Sequence, residues 1–275
     1  METGDACPSR KAGDLLNTID RTGKVLNLFT AETPEWGVTE VATTLGLPTS
    51  TIFAIVASLA EIGLLQQTSD HRYRLGWRVL VISRRLMSST CFNAQTHRTV
   101  AEVANQLGAV VTIGAWDGQG VVCIANASGN RTERVLADGA HISGHASALG
   151  KLLMAQLPWP KVQERIDRYG LPALTENSVS DISILRAQLI SARRHDIAME
   201  HGETIAGQSC VAVGIYQRER HTIAALSICA PSEKMRSRCE EYVRVARRTT
   251  RTLIQQGISA QVPRPTDDLE ASRCV

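Results

Sequence analysis

Hydroxyl and guanidinium side chains in the first third of the chain have the chemistry to bind DNA. The hydroxyl groups of residues 49–51 can form hydrogen bonds with base edges, and Phe53 can contact the methyl group of a thymine. Arg72 and Arg74 lie two residues apart, so on a strand both point to one face and can contact phosphate groups. The predicted DNA-binding residues are Thr49, Ser50, Thr51, Phe53, Arg72 and Arg74.

A helix must position the hydroxyl groups and Phe53. The apolar residues of segment 52–59 recur at offsets of zero, three, four and seven, which predicts a helix that buries one stripe. Thr49, Ser50 and Phe53 then face outward, as on a helix that reads the major groove. An earlier helix precedes this one, and Thr39 is its predicted cap.

A corner and a hairpin complete the motif. Gly46 and Pro48 end the earlier helix. Segments 64–67 and 72–75 flank a turn signal at Ser69 and predict a β-hairpin that carries the two arginines. The order of helix, corner, helix and hairpin is that of a winged helix-turn-helix. A helical hairpin followed by a solvated β-ribbon is the alternative interpretation.

A second group of residues has the chemistry to bind an anion. Segment 144–151, GHASALGK, opens a predicted helix with small side chains, and the first amides of a helix can hold a carboxylate. Close packing of a helix against a sheet also requires small residues, and it is the alternative. A nucleotide-binding loop is excluded because position 145 is His and Leu152 follows Lys151.

The composition indicates a globular chain with room for two domains. It has 275 residues, of which 43% are hydrophobic and 21% charged, and its net charge is +3. The first 90 residues contain nine basic and nine acidic side chains, so DNA affinity must come from local placement of charge. No apolar run has the length of a membrane span, and the amino terminus lacks the apolar core of a signal peptide. We expect a cytoplasmic protein without membrane association.

Seven cysteines are scattered along the chain without a C-x-x-C pair. An odd number at these spacings predicts reduced thiols rather than a disulfide framework or a zinc ribbon. We predict no metal site and no cofactor. The cysteines are at positions 7, 91, 123, 210, 229, 239 and 274.

Periodicity and composition divide the chain into four segments. Residues 14–76 form the predicted DNA-binding domain, 77–90 a linker helix, 91–257 an α/β domain with antiparallel pairing, and 258–275 a flexible tail. In the second domain the predicted strands are 110–116, 121–127, 133–137, 197–200, 209–215 and 222–229, and the predicted helices include 146–156, 160–169, 181–195 and 232–256.

Two motif sets in this order resemble the IclR family of bacterial transcription regulators, over about residues 21–230. The resemblance implies an α+β chain: a winged helix-turn-helix, a linker helix that dimerises, and a GAF-like domain that binds a small effector, often an organic acid. Unlike common members, the chain has neutral residues at Thr49 and Ala54. The motifs are VTEVA at 38–42, LGLP at 45–48, Ser50-Thr51, RYRLG at 72–76, HASALGK at 145–151, Glu200-x-x-Glu203, Gly207-x-x-Cys210-x-Ala212 and AALSI at 224–228.

The resemblance also implies an effector pocket. It assigns the start of the 146–156 helix and three strands to the pocket, and an inward-pointing Arg134 would clamp a ligand carboxylate. A surface position for Arg134 is the alternative. The implied effector-binding residues are Ala148, Leu149, Glu200, Cys210, Ser227, Cys229 and Arg134.

Two other functions remain open at this stage. Cys210 and Cys229 would form the centre of a redox-sensing regulator, and Cys210 with His145 and Glu200 would form the nucleophile, base and orienting group of an enzyme. We predict that the chain is not an enzyme. We expect a homodimer or a dimer of dimers on a double-stranded, pseudo-palindromic operator.

Overall fold

The computed structural model describes residues 17–90, 94–118, 120–130, 136–216 and 222–255. The chain divides into two compact units, residues 1–86 and 87–275. Both units mix helices with antiparallel sheet, which confirms the predicted α+β class. Within the described residues, no helix is both long enough and apolar enough to cross a membrane.

The first unit contains three helices and a small sheet among its described residues. Its sheet has the order β1-β3-β2 and is antiparallel. Strand β1 was not predicted, because two residues are too short to show alternation. The elements are α1 (Asn17–Leu26), β1 (Glu35–Trp36), α2 (Val38–Leu45), α3 (Thr49–Glu61), β2 (Leu65–Gln67) and β3 (Tyr73–Leu75).

Helix α3 has the stripe that the sequence predicted. Ile52, Ile55, Val56 and Leu59 are buried against α1, α2 and the hairpin. The predicted cap of α2 is wrong: the helix begins at Val38, and its N-cap is Gly37. The Glu40 carboxylate accepts a hydrogen bond of 3.0 Å from the Gly37 amide, so a side chain within the first turn satisfies the amide that precedes the helix.

Helix α4 (Arg78–Thr90) follows the hairpin, close to the predicted linker helix. The boundary between the two compact units falls inside it, at residues 86 and 87. Large apolar side chains along it and just before it are exposed. They are Trp77, Leu80, Val81, Ile82 and Leu86.

The second unit is built on a six-stranded antiparallel sheet of order β6-β5-β4-β9-β8-β7. Its strands are β4 (Val110–Trp116), β5 (Val121–Ser128), β6 (His141–Ile142), β7 (Ile197–His201), β8 (Gln208–Tyr216) and β9 (Thr222–Pro231). Its helices are α5 (Ala94–Leu107), α6 (Ala148–Met154), α7 (Trp159–Tyr169), α8 (Ile182–His195) and α9 (Ser232–Leu253).

The two faces of this sheet have different chemistry. On one face, α5 and α9 cover an apolar cluster that includes Val211, Val213 and Ile228. On the other face, α6 and α8 pack over Ala198, Ala212 and the neighbouring Cys210. Alternation along β8 therefore separates a mainly hydrophobic face from the face that carries the predicted effector residues.

Most predicted elements of the second unit are observed, with three differences. Helix α6 is shorter than the predicted 146–156 segment, and β6 was not predicted. The predicted strand at 133–137 lies largely outside the described residues, and its last two residues, 136 and 137, are not in a strand. The predicted tail at 258–275 also lies outside the described residues.

Gly150 lets α6 pack directly against the loop that precedes it. A Cβ atom at this position would lie 2.3 Å from the Gly144 carbonyl oxygen and 2.5 Å from the Ser143 carbonyl oxygen. Both contacts are with backbone atoms, so the loop itself would have to move. The small residue therefore has a packing role, in agreement with the alternative interpretation of the GHASALGK segment.

We predict that Gly150→Ala lowers the free energy of unfolding by about 1–3 kcal/mol, the usual cost of overpacking a close contact. Chemical denaturation followed by circular dichroism measures this change. Gly120→Ala is the matched control, because its Cβ would meet only the Arg165 and His141 side chains, at 3.3 and 3.6 Å. Equal stability of the two variants would contradict the packing role.

Candidate functional site

The predicted reading face of α3 is exposed. Thr49, Ser50 and Phe53 are exposed, and Thr51 is half-buried beside the core stripe. Phe53 leaves 58% of its surface in solvent, so its ring is available for contact with a partner. The face offers hydroxyl groups and one apolar ring, which suits contacts with base edges and thymine methyl groups.

Arg72 makes an internal ion pair. Its guanidinium donates to both Glu40 carboxylate oxygens, at 2.9 and 2.7 Å, and to the Glu35 carbonyl oxygen at 3.0 Å. The hydrogen bonds from Arg72 hold the pKa of Glu40 below its usual range. The bidentate contact ties the wing to the first turn of α2, a structural role that the alternation of the hairpin did not predict.

Arg74 is placed differently from Arg72. Strand β3 begins at Tyr73, which is buried, and Arg74 is exposed beyond it. Its guanidinium donates one hydrogen bond of 3.3 Å to the side-chain oxygen of Gln66 on β2. Arg74 therefore presents its charge at the surface of the wing.

On the second unit, three predicted effector residues form one row across the sheet. Glu200 on β7 lies opposite Cys210 on β8, and Cys210 lies opposite Cys229 on β9. Residues directly opposite in antiparallel strands have side chains on the same face. Ser227 lies two residues from Cys229 on the same strand and is buried, so it belongs to the same face.

The prediction of reduced thiols is wrong for one pair. Cys210 and Cys229 form a disulfide, with Cα atoms 4.1 Å apart. Their separation of 19 residues along the chain did not predict a disulfide. The two cysteines are neighbours because the register of β8 and β9 places them opposite each other. Cys123 and Cys239 are free thiols, and burial raises the pKa of Cys123 to about 11.

Glu200 has one satisfied and one unsatisfied carboxylate oxygen. Its Oε2 accepts hydrogen bonds from the amides of Glu203 and Thr204, at 2.7 and 3.4 Å. Its Oε1 is buried and has no hydrogen-bond partner among the described residues. Burial raises the pKa of Glu200 to about 7, so near neutral pH the group can either accept or donate a hydrogen bond.

A buried ion pair fixes the loop beside Glu200. The Lys151 ammonium on α6 donates to the Glu203 carboxylate, and both side chains are buried. The Thr204 hydroxyl donates to the Ala146 carbonyl oxygen at 3.1 Å. Lys151 and Glu203 belong to two of the motifs that carry the family resemblance, but neither residue was predicted to be a site residue. The available sequence signal for such a role was a charged residue within a mainly apolar segment, as at Lys151.

Ala148 and Leu149 begin α6 and are buried beside this row of residues. The Ser147 side chain accepts a hydrogen bond of 2.9 Å from the Gly150 amide, so one first-turn donor is already satisfied. The amides of Ala148 and Leu149 lack an intrahelical acceptor, as in any first turn. They are the donors that the segment can offer to a ligand.

The remaining predicted residues do not join the row. Arg134 lies outside the described residues. His145 donates from Nε2 to the Pro172 carbonyl oxygen at 3.0 Å, its Nδ1 lies 3.3 Å from the Ser143 hydroxyl, and burial lowers its pKa. With Cys210 in a disulfide and His145 bonded to the Pro172 carbonyl oxygen, these two residues do not form the nucleophile and base that the enzyme alternative requires.

A basic cleft lies on the opposite face of the sheet, along α9. Its volume is about 540 Å³. Among the described residues, none of the predicted effector residues lines it. The lining residues are Cys239, Glu240, Val243, Arg244, Arg247, Arg248 and Arg251.

Comparison with known families decides the classification. Residues 18–69 match the IclR helix-turn-helix domain, and residues 85–254 match the C-terminal domain of bacterial IclR transcriptional regulators. The chain belongs to the IclR family. IclR proteins are DNA-binding transcriptional regulators, so the chain is a regulator of this type and not an enzyme.

Relatives and solved structures agree with this family. The chain is 24% identical to the regulator XynR of Escherichia coli K12 over 78% of its length and 86% of XynR. It superposes on an IclR regulator from Silicibacter sp. TM1040 with a TM-score of 0.78, at 22% identity, covering 90% and 98% of the two chains. An IclR homologue from Microbacterium hydrocarbonoxydans in complex with 4-hydroxybenzoate gives 0.67, at 22% identity, covering 87% and 98%.

We predict that Arg72 and Arg74 contribute to DNA binding in different ways. Arg74→Ala should weaken binding to all sequences and reduce the slope of log K against log salt by about 1, because one phosphate contact is lost. Arg72→Ala should weaken binding because the wing is released from Glu40. Fluorescence anisotropy over a salt series measures both effects.

Glu40→Gln separates the two roles of Arg72. If Arg72 acts through Glu40, this substitution should weaken binding as Arg72→Ala does. Stronger binding by Glu40→Gln would instead show that Arg72 contacts phosphate directly and that Glu40 opposes it.

Proposed function

We propose that the chain is a repressor that acts in the cytoplasm and releases its operator when a small organic acid binds the second unit. The exposed face of α3 supports base contacts by Thr49, Ser50, Thr51 and Phe53, and the wing supports a phosphate contact by Arg74. The single observation that carries the effector site is the buried Oε1 of Glu200, which has no hydrogen-bond partner among the described residues and lies in a row of predicted pocket residues.

We also propose that the regulator binds DNA as a homodimer or a dimer of dimers. The exposed apolar side chains from Trp77 to Leu86 support this proposal, since α4 carries apolar surface that a second copy would cover. Footprinting should show protected half-sites about 34 Å apart, or a multiple of that distance. Protection of one unpaired half-site would contradict the dimer.

The proposed effector site is lined by charged and apolar side chains. Two carboxylates, Glu200 and Glu203, and one ammonium, Lys151, are buried together. A ligand there needs a hydrogen-bond donor for Glu200, and the first amides of α6 can donate hydrogen bonds to the carboxylate of the ligand. Leu149 provides an apolar wall. A hydroxylated acid meets these needs better than a plain one, and the Microbacterium homologue holds such a molecule.

We predict that 4-hydroxybenzoate, or an aliphatic hydroxy acid, stabilises the full chain more than benzoate does. At a hundredfold excess over Kd the stabilisation should reach about 3 kcal/mol, measured as a thermal shift. Ser227→Leu should abolish the shift by filling the site, and Ser227→Ala should preserve it. Glu200→Gln should reduce the preference for the hydroxylated acid.

Arg247→Ala is the control for the cleft on α9. Loss of the thermal shift in this variant, with retention in Ser227→Leu, would place the acid in the basic cleft and contradict the proposed pocket.

The disulfide between Cys210 and Cys229 supports a second candidate function. Two thiols that face each other across adjacent strands can lose two hydrogen atoms to a peroxide, which forms the disulfide and two waters. The reaction joins β8 to β9 within the effector face. Operator binding would then respond to oxidation.

Mild peroxide treatment of the reduced protein tests this function. We predict a mass loss of two hydrogen atoms together with a change in operator affinity, both absent from Cys210→Ser and Cys229→Ser. A disulfide that forms without any change in operator affinity would contradict redox sensing and leave only a structural crosslink.

A further inference from the structure

Glu200, Cys210 and Cys229 form a compact set of metal-ligand atoms. One Glu200 carboxylate oxygen and the two sulfur atoms lie within 4.8 Å of one another. The three residues sit in one row across β7, β8 and β9, so three strands of one sheet hold them in place. Such a site depends on strand register, and for that reason no sequence spacing predicted it.

The donor types suit a thiophilic divalent cation. Two thiolates and a carboxylate are ligands that Zn²⁺ accepts, and three protein ligands leave one position of a tetrahedral ion open. Hard cations such as Mg²⁺ prefer oxygen ligands alone. We propose that the reduced form of this regulator binds one Zn²⁺ through the Cys210 and Cys229 thiolates and the Glu200 carboxylate.

The Glu200 carboxylate is oriented for this role. Its Oε2 is held by the amides of Glu203 and Thr204, and such outer contacts fix the orientation of a metal ligand. Its Oε1, the atom without a partner among the described side chains, remains available. Glu200 is 1% exposed, while both cysteines are half-buried. An ion can therefore reach the sulfur atoms, and the more deeply buried carboxylate provides the third ligand.

The disulfide and the ion exclude each other. The sulfur atoms are bonded in the structure, so a dithiol or phosphine reductant must first supply two electrons, with two protons, to give two thiols. Zn²⁺ then displaces those protons when it binds the thiolates. In the oxidised form, a disulfide links β8 to β9. In the proposed reduced form, an ion binds both cysteines and also Glu200 on β7. The site is a redox-gated metal site.

Zinc binding by the full chain tests the proposal. Protein reduced with a phosphine should take up one Zn²⁺ per chain from a chromogenic chelator, and Co²⁺ in its place should give a sulfur-to-cobalt charge-transfer band. The same chain oxidised to the disulfide should take up none. Because this arm uses the unmodified sequence, its failure to bind does not come from misfolding.

Variants assign the ligands. Cys210→Ser and Cys229→Ser should each lose stoichiometric binding, and Glu200→Gln should bind at least about tenfold more weakly while keeping the charge-transfer band. Cys123→Ser and Cys239→Ser, which change the two free thiols among the described residues, should bind as the natural chain does. Stoichiometric binding by Cys210→Ser, or no binding by the reduced natural chain, would overturn the proposal.

The zinc site shares Glu200 with the proposed effector site, but separate measurements test the two proposals. If the reduced chain binds Zn²⁺ but shows no thermal shift with hydroxy acids, the effector proposal fails and the metal proposal stands. If hydroxy acids stabilise the chain and zinc binding is absent, only the metal proposal fails.

Discussion

The buried ion pair between Lys151 and Glu203 is the constraint on which the effector face depends. A charge that is removed from water must be paired, so the ammonium on α6 and the carboxylate after β7 have to meet. Their contact holds the loop of residues 202–206 against the start of α6. The amides of that loop then hold Glu200 Oε2. Loss of either partner would leave an unpaired charge in the same place.

The second unit separates stability from binding by using the two faces of one sheet. The face covered by α5 and α9 carries an extensive cluster of buried apolar residues, so it can supply a large part of the burial that stabilises the domain. The opposite face contains polar groups with incomplete hydrogen bonding, including Glu200 Oε1 and Glu203 Oε2. Such groups lower stability, and a ligand or an ion that satisfies them stabilises the bound state.

The wing of the first unit shows how two similar residues acquire different roles. Arg72 and Arg74 share a residue type and a predicted strand, but only Arg72 lies within reach of Glu40. Glu40 also accepts from the Gly37 amide, so one carboxylate links the start of α2 with the wing. The position of the wing beside the reading helix therefore rests partly on this surface ion pair. Arg74 keeps its charge at the surface, where a phosphate group can reach it.

Much of the architecture follows from local patterns in the sequence. The stripe of α3 and the alternation along β8 are set by burial of apolar residues at periods of 3.6 and 2, and the corner after α2 by the left-handed backbone of Gly46. The assignment of Glu200, Cys210, Ser227 and Cys229 to one pocket follows from the family resemblance, and alternation along one strand places Ser227 and Cys229 on the same face. Very short strands such as β1 and β6 lack enough residues to show a period.

The chemistry of the site was decided only by the tertiary structure. Pairing of β7, β8 and β9 sets which residues lie opposite, and a shift of one residue would separate Cys210 from both Cys229 and Glu200. The contact between Arg72 and Glu40 also depends on the tertiary structure, because the two residues are 32 positions apart in the chain. Local sequence determined the elements and the faces, because those depend on near neighbours. Contacts between distant residues depend on register and packing, and these belong to the folded chain as a whole.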